Sequence, residues 1–173
     1  MYTNIVYVPE NVNVEINDNI ISVSSGANKE SKVFYYPGIK IEKKEKEIIF
    51  SFEKKALKRM VFTLSSHLKS MFKGVTKGFE YTLKTCYTHF PIKVSIEEKK
   101  IVVNNFYGEK KPRCGDVIGN NTKIKIEGND ITVTGTNLGE VSQTAANFEK
   151  VTRVTKRDRR VFQDGIYITK KGK

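Results

Sequence analysis

A chain of 173 residues with 38% hydrophobic and 10% aromatic side chains can fill one medium or two small cores, which excludes a disordered or low-complexity polypeptide. Its two cysteines, Cys86 and Cys114, are too few for a disulfide framework and lack the paired spacing of a zinc site. The formal net charge of +12 makes a polyanion the expected partner, nucleic acid ahead of membrane.

The opening Met1-Tyr2-Thr3-Asn4 lacks the layout of a signal peptide, and no apolar run approaches the ~18 residues that span a bilayer. A soluble, intracellular, thiol-reduced protein is expected. Apolar residues then alternate at Val12, Val14 and Ile16 and, past the turn Asn17-Asp18-Asn19, at Ile21 and Val23. Period-2 alternation predicts an antiparallel hairpin. A second hairpin is predicted from Ile39/Ile41 and Ile48/Phe50/Phe52. Leu57, Met60, Val61, Leu64, Leu68, Met71 and Phe72 follow at helical spacing. The helix is expected to close at Lys73-Gly74-Val75-Thr76-Lys77-Gly78 with glycines in left-handed positions, before a strand at Phe79-Glu80-Tyr81.

The second half repeats the order. Ile92, Val94, Ile96, Ile101 and Val103 each lie 80 residues after their first-half counterparts. Ile124/Ile126 and Ile131/Val133 form the next predicted hairpin around Gly128-Asn129-Asp130. Leu138, Val141, Ala145 and Phe148 predict a helix, capped by Asn137 with Glu140 three residues on. A basic run and a strand at Gly165-Ile166-Tyr167-Ile168 end the chain's pattern. Each half thus reads hairpin, hairpin, helix, basic turn, closing strand. The expected fold is α+β, with two tandem repeats, each a small, mainly antiparallel sheet packed against one helix. The repeats are expected at residues 1–86 and 87–173, with the seam near Thr88–Pro91.

The charge excess lies in two segments. Residues 54–84 carry eight basic side chains against Glu80, and residues 150–173 carry nine against Asp158 and Asp164. Cations in a last helical turn suit the helix dipole, but that accounts for one or two lysines per helix. The remainder reads as contact surface. Arg153, Lys156, Arg157, Arg159 and Arg160 form the strongest cluster, since arginine forks suit phosphate and stack on unpaired bases. Asp158 within it is expected to orient an arginine or cap a turn. Lys110, Lys111 and Arg113 sit in a loop held by Gly108 and Pro112; Lys170, Lys171 and Lys173 form a basic tail. Lys73 and Lys77, in the turn after the first helix, complete the candidate RNA-binding set.

Catalysis has little support. His67 and His89 are the only histidines, and Cys86 with His89 would point to opposite faces of a strand. Gly74 to Gly78 follows a helix rather than preceding one, which argues against a phosphate loop. No catalytic residue, metal or cofactor is expected. An RNA-processing enzyme would need a convergent acid–base set. A membrane-surface protein would need a basic amphipathic helix with large exposed apolar residues. Neither is found.

The segments VPENVNV, SHLKSMFKGVTKGFEY, YTHFPIKV, NNFYGEK, EGNDI and RDRRVFQDGIYI run through nearly the whole chain. In that order they resemble the universal large-subunit ribosomal protein six family, in its eukaryotic and archaeal branch. The resemblance implies two α+β repeats and a non-enzymatic structural constituent of the large ribosomal subunit, supporting cytoplasmic translation. It implies binding to large-subunit rRNA near the sarcin–ricin loop and stalk base, mainly through the C-terminal repeat. Implied partners are neighbouring large-subunit proteins and, transiently, translational GTPases, with no membrane. Implied location is the cytoplasmic large subunit, with nucleolar assembly if the source is eukaryotic. The chain departs from the family at Gly26-Ala27-Asn28-Lys29-Glu30, where a Gly–basic–Gly turn is usual, and at Lys150, where Gln is common.

Overall fold

A computed structural model describes residues 2–17, 19–26, 28–155 and 157–172. The chain divides between Gly78 and Phe79 into two units. The first holds β1 (Tyr2–Tyr7), β2 (Asn13–Asn17), β3 (Ile20–Ser25), β4 (Asn28–Val33), β5 (Ile39–Lys44), β6 (Glu47–Phe52) and helix α1 (Lys58–Thr76). The second holds β7 (Phe79–Cys86), β8 (Lys93–Glu97), β9 (Lys100–Asn104), β10 (Arg113–Asp116), β11 (Lys123–Glu127), β12 (Asp130–Gly135), α2 (Leu138–Val151) and β13 (Gly165–Lys170).

Each unit carries two small antiparallel sheets. Their strand orders are β1-β6-β5 and β2-β3-β4 in the first unit, and β11-β12-β7-β13 and β8-β9-β10 in the second. The 80-residue offset read from the sequence is also an offset of register. Val14 faces Val23 and Ile16 faces Ile21, as Val94 faces Val103 and Ile96 faces Ile101. One face of each alternating strand turns inward, because a strand with period-2 apolar side chains can bury only one side. In the first unit Val14, Ile21, Val23, Ile48 and Phe50 pack with Val61, Leu68, Phe72 and Val75 of α1. In the second, Leu83, Ile101, Val103, Ile131, Val133 and Ile166 pack with Val141, Ala145 and Phe148 of α2.

The α+β class and the tandem repeat hold, with two sheets in each unit where one was expected. The boundary at 86/87 does not. β7 pairs on one side with β12 and on the other with β13, so residues 79–86 belong to the second unit. The strand after the first helix is expected to close its repeat. It instead opens the next one, because β1 stands to β6 as β7 stands to β12. A tandem pattern fixes the order of its elements but not the point at which the repeat begins. Thr88–Pro91, the expected seam, therefore lies inside the second unit.

Strands β1, β4 and β10 lie at sheet edges and left little trace in the sequence. β4, Asn-Lys-Glu-Ser-Lys-Val, is exposed along most of its length. The glycine reading of the first helix end is half right. Gly78 has φ +73° and its N–H reaches the Gly74 carbonyl at 3.0 Å, whereas Gly74 is buried within α1. The turn between β2 and β3 includes Asp18, which lies outside the described residues. Among the described residues no helix is long and apolar enough to cross a membrane.

Asn137 caps α2 as expected, its Oδ1 accepting from Gly139 N at 2.8 Å and Glu140 N at 3.3 Å. Asn137→Ala leaves two first-turn donors without that partner. Thermal unfolding of the variant is expected to show a loss of about 1 kcal/mol.

Candidate nucleic-acid interface

Three loops of the second unit meet at one place. They are residues 87–92 between β7 and β8, 105–112 between β9 and β10, and 152–164 between α2 and β13. Asp164, only 2% exposed, ties two of them together. Its carboxylate accepts from Thr88 N at 3.1 Å, Thr88 Oγ1 at 2.8 Å and His89 N at 3.1 Å. The His89 ring nitrogen Nδ1 lies 3.0 Å from Asp164 Oδ1 and donates to it in the tautomer with a proton there. Burial alone pushes the Asp164 carboxyl up, but these hydrogen bonds from His89 and Thr88 together outweigh it and hold the group at about 2. The third loop joins through Asp164 N, which donates to Tyr107 Oη at 3.2 Å. The carboxylate collects donors from Thr88 and His89, an arrangement that fixes loops rather than activating a nucleophile.

Above this clamp sits a shelf of rings. His89 stacks on Phe162 with centroids 5.4 Å apart and planes 20° apart. Tyr107 stands edge-on to Phe162 at 5.7 Å and to Phe106 at 4.7 Å. The loop that carries Tyr107 bends through three left-handed residues, Asn105, Tyr107 and Gly108, with φ of 60°, 50° and 73°. Two of these are not glycine and cost energy there. Asn105 recovers some by donating from Nδ2 to the Pro91 carbonyl at 3.0 Å.

The guanidinium of Arg157 lies over this shelf, its Cζ 4.8 Å from the Phe162 centroid and 5.2 Å from that of Tyr107. The two rings hold the cation in place while the residue stays exposed to solvent, an arrangement suited to binding phosphate. Arg153 and Arg159 are exposed and, with Lys150, Glu149 and Tyr167, line a cleft of about 350 Å³ beside β13. Lys110 and Lys111 are exposed at the tip of their loop.

The other candidates separate by what they touch. Arg113 is engaged inside the protein. Its Nε and Nη2 donate to Glu109 at 2.8 and 2.6 Å, and its Nη1 donates to the carbonyls of Val151 and Arg153, both at 3.1 Å. Its Cζ also lies 4.3 Å over the Phe106 ring. The hydrogen bonds from Arg113 hold the Glu109 carboxyl below its usual range. Arg113 thus pins the basic loop to the end of α2. Arg160 is exposed but pairs with Asp158, Nη2 to Oδ2 at 3.0 Å, while Arg160 N donates to Asp158 Oδ1. Asp158 both orients an arginine and caps a turn, since its carbonyl accepts from Val161 N and Phe162 N. Lys170 and Lys171 are exposed at the end of β13, and Lys73 and Lys77 are exposed on the first unit. Lys156 and the tail residue Lys173 lie outside the described residues. Among the described residues no group of three or more His, Cys, Asp or Glu could hold a metal ion.

The sequence marked the cations but missed the shelf and its clamp: Thr88, His89, Tyr107, Phe162 and Asp164. An aromatic residue in each basic loop was the available signal. Lys150, in the sequence a departure from the family pattern, lies on the cleft with Arg153 and Arg159.

Two units of one plan, the second gathering open cations around a ring-backed arginine, suit a protein that holds a phosphate-rich partner. Comparison with known proteins agrees. A family model described as ribosomal protein L6 matches residues 8–78 and again residues 90–165, once in each half. Large ribosomal subunit protein uL6 of Methanosarcina mazei is 44% identical over 166 residues, covering 95% of this chain and 94% of the relative. The proteins of the same name from Methanococcus vannielii and Methanobrevibacter smithii are 43% and 40% identical over 95% of this chain, and 91% and 93% of their own lengths. All three carry the name of a ribosomal protein and none that of an enzyme. The chain belongs to the ribosomal protein L6 family.

Proposed function

We propose that the chain is a non-catalytic, structural component of the large ribosomal subunit and binds large-subunit rRNA mainly through its second unit. The observation that carries this reading is Arg157, held against the Phe162 and Tyr107 rings in the same loop whose Arg153 and Arg159 line a cleft with Lys150. Arg157 presents a planar fork, and Lys110 and Lys111 present point charges on a loop that Arg113 anchors. Together they neutralise phosphates from more than one direction and so fix the orientation of the RNA as well as its affinity. Lys170, Lys171, Lys73 and Lys77 add affinity without sequence preference. Family likeness supports a position close to the sarcin–ricin loop and stalk base, among neighbouring large-subunit proteins and within reach of translational GTPases. In that position the protein serves cytoplasmic translation by holding RNA helices in register.

The test is sedimentation of tagged protein from cell lysate through a sucrose gradient at high salt. Co-migration with the large subunit, and not the small one, is the expected result. Protein that stays at the top of the gradient contradicts the reading.

A further inference from the structure

β1 differs from every other edge strand among the described residues. The four sheets end in β1 and β5, β2 and β4, β8 and β10, and β11 and β13. Seven of these eight strands carry at least one Lys, Arg, Asp or Glu; β1, Tyr2-Thr3-Asn4-Ile5-Val6-Tyr7, carries none. Charges on an edge strand discourage pairing with other chains. An uncharged edge made of β-branched and aromatic residues presents its unpaired N–H and C=O groups without that protection.

The second unit shows what such an edge takes. β7 holds there the place that β1 holds in the first unit, and β13 covers its outer edge. β13 runs antiparallel to β7, buries Ile166, and packs Ile168 against the same core. Helix α2 seats it, with Thr152 Oγ1 accepting from Ile166 N and Glu149 Oε1 from Ile168 N, both at 2.9 Å. In the first unit no described strand occupies the corresponding place.

The surroundings of the open edge specify the occupant. A cleft of about 240 Å³ adjoins it, lined by Tyr2, Phe52, Val61, Phe62, Lys55 and Lys58. Phe62 is 51% exposed and Tyr7 is 70% exposed. Residues 54–59 hold Lys54, Lys55, Lys58 and Arg59 and no acid. We propose that the free edge of β1 receives an extended segment of a neighbouring protein as a fourth strand, antiparallel to β1. That segment carries apolar residues at alternate positions toward α1 and Asp or Glu beside Lys55 and Lys58. Strand addition supplies main-chain hydrogen bonds, and the cleft reads the alternate side chains. RNA would leave the cleft unfilled, and a second copy adding its own β1 would bring from that strand no acid to Lys55 and Lys58. The inference is independent of the rRNA reading.

The test places a photoreactive phenylalanine analogue at position 62 of the full-length chain, expressed in its own cells and irradiated there. The expected product is a crosslink to one protein at one segment of alternating apolar and acidic residues. Hydrogen exchange should show slowed amides in β1 of the assembled protein relative to the free chain. Lys55→Glu with Lys58→Glu is expected to lower the crosslink yield about tenfold through like-charge repulsion, with RNA binding unchanged. Crosslinks only to RNA, only to another copy of this chain, to a basic or helical segment, or to nothing, overturn the inference. A crosslink of the expected kind from protein that fails to sediment with the large subunit would sink the ribosomal reading and leave this one standing.

Discussion

Alanine at Lys110, Lys111, Arg157 and Arg159 together is expected to flatten the salt dependence of rRNA binding, lowering the log–log slope by about 3. Each phosphate contact contributes roughly 0.7–0.9 to that slope through counterion release, and all four side chains face solvent. Arg157 should contribute more to affinity than the others, because the Phe162 and Tyr107 rings hold its guanidinium in place before binding. Filter binding of the full chain to large-subunit rRNA between 50 and roughly 300 mM salt reads both quantities. An unchanged slope would mean that these groups serve the fold or another protein. Arg113→Ala gives a different signature. Its four hydrogen bonds run to Glu109, Val151 and Arg153, so its loss loosens the loop and lowers thermal stability as well as binding.

Asp164→Ala is expected to destabilise the second unit by about 3 kcal/mol, since it removes the buried carboxylate on which the hydrogen bonds from Thr88 and His89 converge. The wild-type carboxyl, depressed from 3.8 to about 2 in the fold, adds a pH signature. A carboxylate with a lowered folded-state pKa stabilises above its unfolded value. That contribution, about 2 kcal/mol, is lost as pH falls from about 5 through 2. Urea unfolding across that range should therefore show wild-type stability falling with acid. The Asp164→Asn variant should lack this group's share of the decline. Equal slopes for the two proteins would show that Asp164 is not the group that titrates.

How far the sequence could be read depended on whether a residue's partner was local or distant. Val14, Ile16, Ile21 and Val23 declare a hairpin because alternation and a short turn suffice, and their second-half counterparts repeat it 80 residues on. Leu64 and Leu68, or Val141 and Ala145, declare a buried helical stripe for the same reason. Edge strands such as β4 and β10 pair on one side only, so few of their side chains are forced inward and little pattern results. The repeat boundary was misplaced because β7 looks alike whether it closes one unit or opens the next; only its partners β12 and β13 decide. At the interface, the cations were legible and their fates were not. Arg113 ends one basic stretch and Arg157 lies within another. One meets the carbonyls of Val151 and Arg153, the other meets two rings, and nothing near either residue in the sequence marks that difference. Asp164 and His89, 75 residues apart, are joined only by the fold.

The pairing of β13 with β7 has a consequence for the timing of synthesis. Every strand of the first unit, and its helix, is available once Gly78 has been made. The second unit must wait, because Leu83 in β7 finds its neighbour Ile168 only more than 80 residues later. Such non-local pairing is slow to form and comes late on a growing chain. Phe162 and Asp164, which complete the ring shelf and its clamp, lie in the segment that leads into β13. All the strands of the first unit are therefore made well before the ring-backed surface proposed to hold RNA is complete, and the order of the strands puts that surface at the end of synthesis.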